Sequence, residues 1–595
     1  AITNTTDNKG LLNFKNNTGE TITLTRIIVD DGELNDYNNK QIYSGNNEII
    51  QLTHTCECGP NQKTKTCEFQ ITYKTKYGLE KKIKQSIIVN CEENPEPEKP
   101  PITPTPTDCS LLEIIEVCGM DGNTYQNTCH ATQAGTDINY IGECETAPTE
   151  IEDCIIFETN PIPICTLSDL NRIREKLDGN YILQNDIDAS NTSIWNNGEG
   201  WEPIGNSTNK FKGSLNGNNN KIKNLYINRF DQNYVGLIGN LYLGTVSYLG
   251  LLDYNITGNN YVGGISGYLR SGQINNSYTT GKLSGIGEHV GGLIGYFMSG
   301  QIIDSYNTAN ISGGYNHVGG ITGYSYEPTL TQNVYNTGDI NGNWYVGGVS
   351  GELKKGIFFN VHNTGDVNGQ SSTGGVIGYT YDGTITNTYN TGIVTGKNQT
   401  GGINGGANIG TPGTIINNSY NTGNITGLDE VGGITGWCMS QKINNVYNLG
   451  NVNGTTRVGG IVGQAENGVI NNVYNIGSIT ATSTLGTGGL IGRSYTNLNN
   501  SFNVGTVNAT EGFFGGIEGF MNYTVTNTNV YWDTVLSSQN NCYSGGSNGC
   551  FSTTTGDPSY YYFSTNAPLS SWTWGVGGNW IAQDNNFPIL SWQNN

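Results

Sequence analysis

Thirteen cysteines carry the chemistry that spacing defines most sharply in this chain. Cys56, Cys58, Cys67 and Cys91 fall in the first hundred residues, and Cys109, Cys118, Cys129 and Cys144 form one compact group. Cys154 with Cys165 and Cys542 with Cys550 make two further close pairs, and Cys438 stands alone. Even-numbered local groups divided by long cysteine-free stretches are the pattern of disulfide staples, which form in an oxidising, extracellular setting. Zinc ligation at Cys56-x-Cys58 would need a CxxC pair or a set of histidine ligands beside it, and the sequence supplies neither. Disulfides are therefore the expected chemistry, and no metal or other cofactor is expected. The pairing among Cys56, Cys58, Cys67 and Cys91 stays open.

Catalysis would need carboxylates or histidines brought together in register. Asp304, Asp339, Asp366, Asp382 and Asp429 sit at differing phases of the repeat described below and lack a sequence-evident partner, as solvated turn residues do. His54, His130, His289, His317 and His362 are scattered, and His362 takes a position otherwise held by tyrosine, which favours ring stacking over proton transfer. No GxSxG, HExxH or lysine-bearing phosphate loop occurs. The stretch NDIDASNTSIWN (185–196) partly matches a calcium loop but lacks the glycine at its sixth position and the glutamate at its twelfth. The expectation is a protein without catalytic residues. Trp344, Tyr345 and Trp437 offer flat faces that suit a sugar-stacking platform, with packing of turns as the other reading. N-x-S/T sequons at Asn4, Asn16, Asn191, Asn206, Asn255, Asn275, Asn310, Asn398, Asn417, Asn424, Asn453, Asn499, Asn508 and Asn522 are candidate N-glycosylation sites.

The elements that must position these residues follow from composition. With 595 residues the chain exceeds one ordinary compact core, so several domains or an elongated repeat are expected. Its 85 glycines and 13% charged residues fit short strands joined by tight turns, with glycine supplying positive-φ positions. A formal charge of −21 excludes a nucleic-acid groove, which needs clustered Lys and Arg. No apolar run approaches the ~18 residues of a membrane span, and Ala1 opens no signal sequence, so a soluble chain is expected.

The stretch EENPEPEKPPITPTPT (92–107) holds six of the sixteen prolines and reads as an extended spacer over residues 92–108. Before it, LLNFKNNTGETITLTRIIV and CEFQITYKTKYGLEKKIKQSIIV alternate apolar and polar residues, which predicts a small antiparallel β-sandwich over 1–91. Leu11-Leu12-Asn13-Phe14, the Asn17-Thr18-Gly19 turn and ITLTRIIV resemble the β-rich heads of archaeal pilin-like surface proteins. After the spacer, Val117-Cys118-Gly119 and Asp121-Gly122-Asn123-Thr124-Tyr125-Gln126-Asn127-Thr128-Cys129 resemble the Kazal module, placing a Kazal-like domain at 109–145. Two of that family's six cysteines are missing together, and Thr132 stands where one would fall. The resemblance implies Cys109–Cys129 and Cys118–Cys144 disulfides and a candidate protease-binding loop at Leu111 and Leu112. That loop is one residue longer than usual and lacks a bracing disulfide, so it must be ordered on binding and binds more weakly.

From residue 231 to 525 the chain repeats. A V-G-G-I-x-G-Y element recurs eleven times, beginning at Val235, Val262, Val290, Val318, Val346, Thr373, Thr400, Val431, Val458, Thr487 and Phe514, mostly 27 or 28 residues apart. An INNSYNTG element travels with it. Each period is the length of chain one β-helix coil consumes, and eleven coils at a strand spacing of about 4.8 Å make a rod of roughly 50 Å. Its core is expected to hold columns of Val and Ile, asparagine ladders, and a ring column of Tyr278, Tyr306, Tyr335, His362, Tyr389, Tyr420, Tyr447, Tyr474 and Phe502. This array resembles the GLUG-motif repeats of microbial surface proteins, and TLSDLNRIREKLDGNYILQNDIDAS, WEPIGN and FKGSLNGNNNKIKNLYIN resemble the segment that leads into them. The resemblance implies a linker and leading cap over 146–230, a C-terminal cap over 526–595, and a role in adhesion and surface display.

The fold class is thus all-β: a sandwich, a disulfide-stapled Kazal-like domain and a long β-helix solenoid with caps. The function expected is that of an extracellular structural or adhesive cell-surface protein, a pilus-like filament subunit joined by β-strand addition through residues 1–10. The alternatives are a secreted Kazal-type serine protease inhibitor and a carbohydrate-binding or carbohydrate-cleaving β-helix. Expected partners are copies of itself or another surface protein, and cell-surface glycans.

Overall fold

A computed structural model describes the strands within residues 2–90, residues 116–119, 124–134 and 138–141, and residues 154–594 except 327–328, 409–412, 483–484, 523–524, 547–548 and 576–577. It divides into two units, Ala1–Thr146 and Ala147–Asn595.

In the first unit, alternation of apolar and polar residues becomes two antiparallel sheets. Gly10–Lys15 lies between Ile2–Asn4 and Asn47–Gln51, and Ile22–Val29 with Thr64–Lys74 lies between Leu34–Ile42 and Glu80–Asn90. The N-terminal strand, expected to join copies by strand addition, is paired within its own chain: Ile2 opposes Leu12 and Asn4 opposes Gly10. Further on, Val117–Gly119 pairs with Thr124–Tyr125 and with Ile138–Ile141. The helix Thr128–Gln133 starts at Asn127, whose Oδ1 accepts the His130 amide at 3.1 Å. Cys129 is buried and disulfide-bonded. Cys56, Cys58, Cys91, Cys109, Cys144, Leu111, Leu112, Asn16, the spacer, and the side chains of Asn4, Cys67 and Cys118 lie outside the described residues.

The second unit opens on the Cys154–Cys165 disulfide. Beside it the buried Asp169 carboxylate accepts backbone N–H groups of Cys154, Ile155, Cys165 and Thr166 at 2.9–3.2 Å. Asp169 and Thr166 also form the capping box of the helix Leu167–Arg172. From there a parallel β-solenoid begins. One face is a ten-stranded ladder in which Val262, Val290, Val318, Val346, Thr373, Thr400, Val431, Val458, Thr487 and Phe514 stack in register. A Val235–Val262 bridge adds the eleventh rung, so every repeat read in the sequence is one coil.

Glycine works here by size. A Cβ on Gly348 would sit 2.1 Å from the Gly375 carbonyl oxygen and 2.3 Å from Asn363 Cγ, so no side chain fits the second glycine of Val-Gly-Gly. Positive-φ positions fall on glycines such as Gly281, Gly300 and Gly486, as expected, and also on many other residues. Asn276, Asn333, Asn360, Asn387, Asn418, Asn445, Asn472 and Asn500, all in the INN element, have φ of 47–54°. Asparagine tolerates that region because its short polar side chain bonds locally.

The interior holds columns of fully buried Ile, Val and Leu, such as Ile265, Leu293, Ile321, Val349, Val376, Ile403, Ile434 and Ile461. Beside them runs an asparagine ladder of Asn307, Asn336, Asn363, Asn390, Asn421, Asn448, Asn475 and Asn503, in which each residue before Asn503 donates Nδ2 to the next Oδ1 at 2.7–2.9 Å. Each Nδ2 also donates to the carbonyl two residues on, at 2.7–2.9 Å, which satisfies these buried amides. Cys438 lies in this core, and burial pushes its thiol up to about 12, so it packs as a small apolar group.

Candidate functional site

The ring column expected in the core lies on the outer face. Tyr278, Tyr306, Tyr335, His362, Tyr389, Tyr420, Tyr447, Tyr474 and Phe502 stack with centroids 4.5–5.0 Å apart, in the predicted order. Strand alternation explains the correction: the asparagine after each ring points inward, so the ring points out. The C-terminal chain then covers half of this column. Cys550–Thr553 extends the parallel sheet from Thr528–Asp533, tied by the Cys542–Cys550 disulfide. Residues 558–594 fold back along the coils, so this region closes the last coil and also clothes the flank. Trp592 stacks on Tyr389 and Tyr420 and donates Nε1 to the Asn418 carbonyl at 2.9 Å. Tyr474 donates to the Pro588 carbonyl at 2.7 Å, and Tyr561 stacks on Phe502 at 4.4 Å. Tyr447, Tyr474 and Phe502 are consequently buried, whereas Tyr278, Tyr306, Tyr335 and His362 remain partly exposed.

A second aromatic strip occupies another outer face. One column runs Tyr234, Tyr261, His289, His317 and Tyr345, at 4.7–5.1 Å. These residues precede the Val-Gly-Gly element and have φ of 53–64°, a region uncommon for bulky side chains. Against it runs Tyr268, Tyr296 and Tyr324, at 5.0–5.1 Å. The histidines expected to be scattered are therefore partly stacked on one another. Burial, with His317 beside it, depresses His289 to about 3, so its imidazole stays neutral at physiological pH. His317 Nε2 lies 2.9 Å from the carboxylate of Glu352, which replaces tyrosine in the second column.

Both columns lose their rings at adjacent positions. Tyr345 is followed by Ser372, and Tyr379 by Gly406, after which Trp437 resumes the second column. The result is a cleft of about 410 Å³ lined by Trp344, Tyr345, Ser372, Tyr379, Gln399 and Trp437, with Gln370, Ser371, Lys397 and Asn398 completing it. Ser372 Oγ donates to Gln399 Oε1 at 2.7 Å across its floor. The structure thus gathers all three aromatic residues picked from the sequence, Trp344, Tyr345 and Trp437. Sequence reasoning missed Tyr379, Ser372, Gln399 and Gly406. For Tyr379 and Gly406 the signal lay in the last letter of each I-x-G-Y element, which reads Y, Y, Y, E, Y, G, W, Q, R, F from Tyr268 to Phe520, and for Ser372 and Gln399 in the residue before each Val-Gly-Gly or Thr-Gly-Gly.

The acids have structural occupations. Asp339 and Asp366 share one phase of the repeat, contrary to expectation, and each accepts a backbone N–H from the next coil, at 3.2 and 2.9 Å. Asp304 accepts from Asn333 at 2.8 Å and Asp382 from the Gly413 amide at 3.2 Å. Asp429, expected to lack a partner, pairs with Arg457, whose Nη1 also meets Glu430 at 2.9 Å. In the partial calcium-loop stretch Asp186 pairs with Lys223 at 2.8 Å, and Asp188 accepts from Ser190 and Asn224 at 3.0 Å. Of the sequons, Asn191, Asn206, Asn255, Asn310, Asn398, Asn424, Asn453 and Asn508 are exposed. Asn275, Asn417, Asn499 and Asn522 are half-buried. Among the described residues no helix is long and apolar enough to cross a membrane.

No protein-family model matches the chain. A stretch of 133 residues is 40% identical to Halomucin of Haloquadratum walsbyi, covering 21% of this chain and 1% of that protein. Another 82 residues are 43% identical to a putative Gly-rich membrane protein of Evansella cellulosilytica, covering 13% of this chain and 9% of that one. The chain therefore spans a small fraction of the length of the curated relatives it matches. Among solved structures, an IgA1 protease chain aligns over 88% of this chain and 29% of its own length, at 11% identity and a TM-score of 0.17.

Proposed function

We propose that the protein is a non-catalytic structural and adhesive component of an extracellular surface, a filament subunit that displays a β-solenoid rod. The observation that carries this reading is the solenoid itself. Its eleven coils stack in register, the amides of its asparagine ladder are satisfied, Asp169, Asp339, Asp366 and Asp429 serve capping, ladder and ion-pair roles, and disulfides staple both ends. Such a scaffold spends its sequence on rigidity and on presenting outward columns of side chains. Formed disulfides fit an oxidising location, and the partial similarity to Halomucin and to a membrane protein is in keeping with a surface setting. In this reading the repeats are of the GLUG type, the head is pilin-like, and the Kazal-like module is a stapled spacer.

Assembly proceeds by β-strand addition. The strand Ile2–Asn4 is an outer strand of its sheet and is held to Gly10–Leu12 over three residue pairs. Exchange of this short strand between copies replaces the intrachain pairing with the same pairing in trans. Immunogold labelling of intact, unpermeabilised cells tests the location. Gold on the cell exterior or on appendages is expected, and label seen after permeabilisation alone overturns the surface reading.

A further inference from the structure

We propose that the gap in the outer aromatic strip is a binding site for one pyranose sugar ring, held between Tyr379 and Trp437. The proposal deepens the adhesive reading by naming a ligand class for the surface that the rod displays.

Three features of the cleft point to this ligand. First, its width is set by register. Tyr379 and Trp437 belong to the same column but are separated by the coil that carries Gly406. Two strand spacings place them about 9.6 Å apart, room for one flat ring at stacking distance from each. Secondly, the neighbouring column also lacks rings alongside, because Ser372 follows Tyr345 on the coil of Tyr379 and Gln399 follows Ser372 on the coil of Gly406. The gap is thus a recess about 410 Å³ in volume rather than a slit. Thirdly, its floor and rim are amides and hydroxyls: Gln370, Ser371, Ser372, Asn398 and Gln399. A Cβ on Gly406 would meet Gln399 Oε1 at 2.9 Å, which puts that carboxamide at the base of the missing rung. Trp437 Nε1 is buried and has no hydrogen-bond partner among the described residues.

Aromatic walls with a polar floor select among ligands. An apolar peptide side chain would cover the walls but bury the polar side chains of Gln370, Ser371 and Asn398 away from water, which costs free energy for each group left unpaired, while the Gln399 carboxamide oxygen already accepts from Ser372. A pyranose offers C–H faces to the rings and equatorial hydroxyls to the amides, so one ligand serves both surfaces. Among the described residues lining the cleft Lys397 alone is charged, and the Glu430 carboxyl bonded to Gln399 offsets it, so charge does not select among sugars.

The test is saturation-transfer difference NMR on the full chain, produced without glycosylation so that Asn398 carries no sugar. The probes are methyl β-D-glucopyranoside, methyl β-D-galactopyranoside, sodium D-glucuronate, and p-cresol as a flat non-sugar ring. Saturation of sugar ring protons is expected. It should be abolished by Gly406→Tyr, which restores the missing ring against a flexible glutamine end, and affinity should fall at least tenfold in Trp437→Ala. Circular dichroism confirms that each variant keeps the solenoid. Absence of transfer to every sugar, transfer to p-cresol alone, or sugar binding unchanged in both variants each overturns the proposal. Surface location and filament assembly are read by microscopy, so a failure here is distinguishable from a failure of the broader reading.

Discussion

Replacing Asn390 by alanine removes one rung of the interior ladder, and its cost can be worked from the contacts. Asn390 Nδ2 donates to the Gly392 carbonyl and to Asn421 Oδ1, both at 2.8 Å, while its Oδ1 accepts from Asn363 Nδ2 at 2.9 Å. Three buried hydrogen bonds at about 1 kcal/mol net each are lost. Asn421 Oδ1 and one N–H of Asn363 are left unpaired in a dry interior, at about 1–2 kcal/mol each. The total is roughly 5–7 kcal/mol, an upper figure because the neighbouring amides can relax. Since each coil touches its neighbours alone, the loss should appear locally, not as a uniform shift. Native-state hydrogen exchange read by mass spectrometry should show opening free energies reduced by at least about 3 kcal/mol in peptides spanning 361–365 and 419–423. Asn368→Ala, at an exposed strand position, should change them by less than about 0.5 kcal/mol. A change below about 1 kcal/mol for Asn390→Ala, or one spread evenly over the coils, would refute the ladder as a source of stability.

Other expectations follow from the same contacts. His362 is stacked between Tyr335 and Tyr389, and burial lowers it to about 4. Below pH 6.5 the unfolded chain gains a proton that the folded one refuses, so stability falls between about pH 6.5 and 4, by up to ~3 kcal/mol. His362→Tyr should reduce that slope in thermal melts at pH 7 and 4.5, leaving the share that His289 contributes. Glu518 is fully buried, accepts from Asn527 at 3.0 Å, and is raised by burial to about 7. Its favourable contribution is complete below about pH 4.5 and is lost as pH rises through 7, so Glu518→Gln should stabilise the protein by ~2–3 kcal/mol at pH 8 and little at pH 4. Trp592→Ala should free the C-terminal chain from Tyr389 and Tyr420, and limited proteolysis should then cut within 586–594 while the coils stay intact.

The solenoid was legible because a repeat states its own register: once Val262 and Val290 are aligned, every rung through Phe514 follows. The two described disulfides, the ladder-forming asparagines and the order of the ring column were legible for the same reason. Which way the rings point was not, because INNSYNTG places aromatic and asparagine side by side and hydrophobicity alone assigns the ring to the core. The ladder decides otherwise, since an inward asparagine finds an identical partner above and below while a tyrosine needs more width. The role of glycine was partly legible: positive-φ glycines such as Gly281 and Gly300 were foreseen, but composition cannot reveal a close backbone approach such as Gly348 against Gly375. The cleft was half legible. Trp344, Tyr345 and Trp437 announce themselves, but a site made partly by a missing side chain, at Gly406 and Ser372, shows only when coils are compared letter by letter.

Electron microscopy of the purified protein, with and without residues 1–10, tests the filament account most directly. The account predicts filaments from the intact chain and isolated rods after truncation, with assembly lost because the exchanged strand is gone. Isolated rods in both preparations, or filaments that survive the truncation, would contradict it.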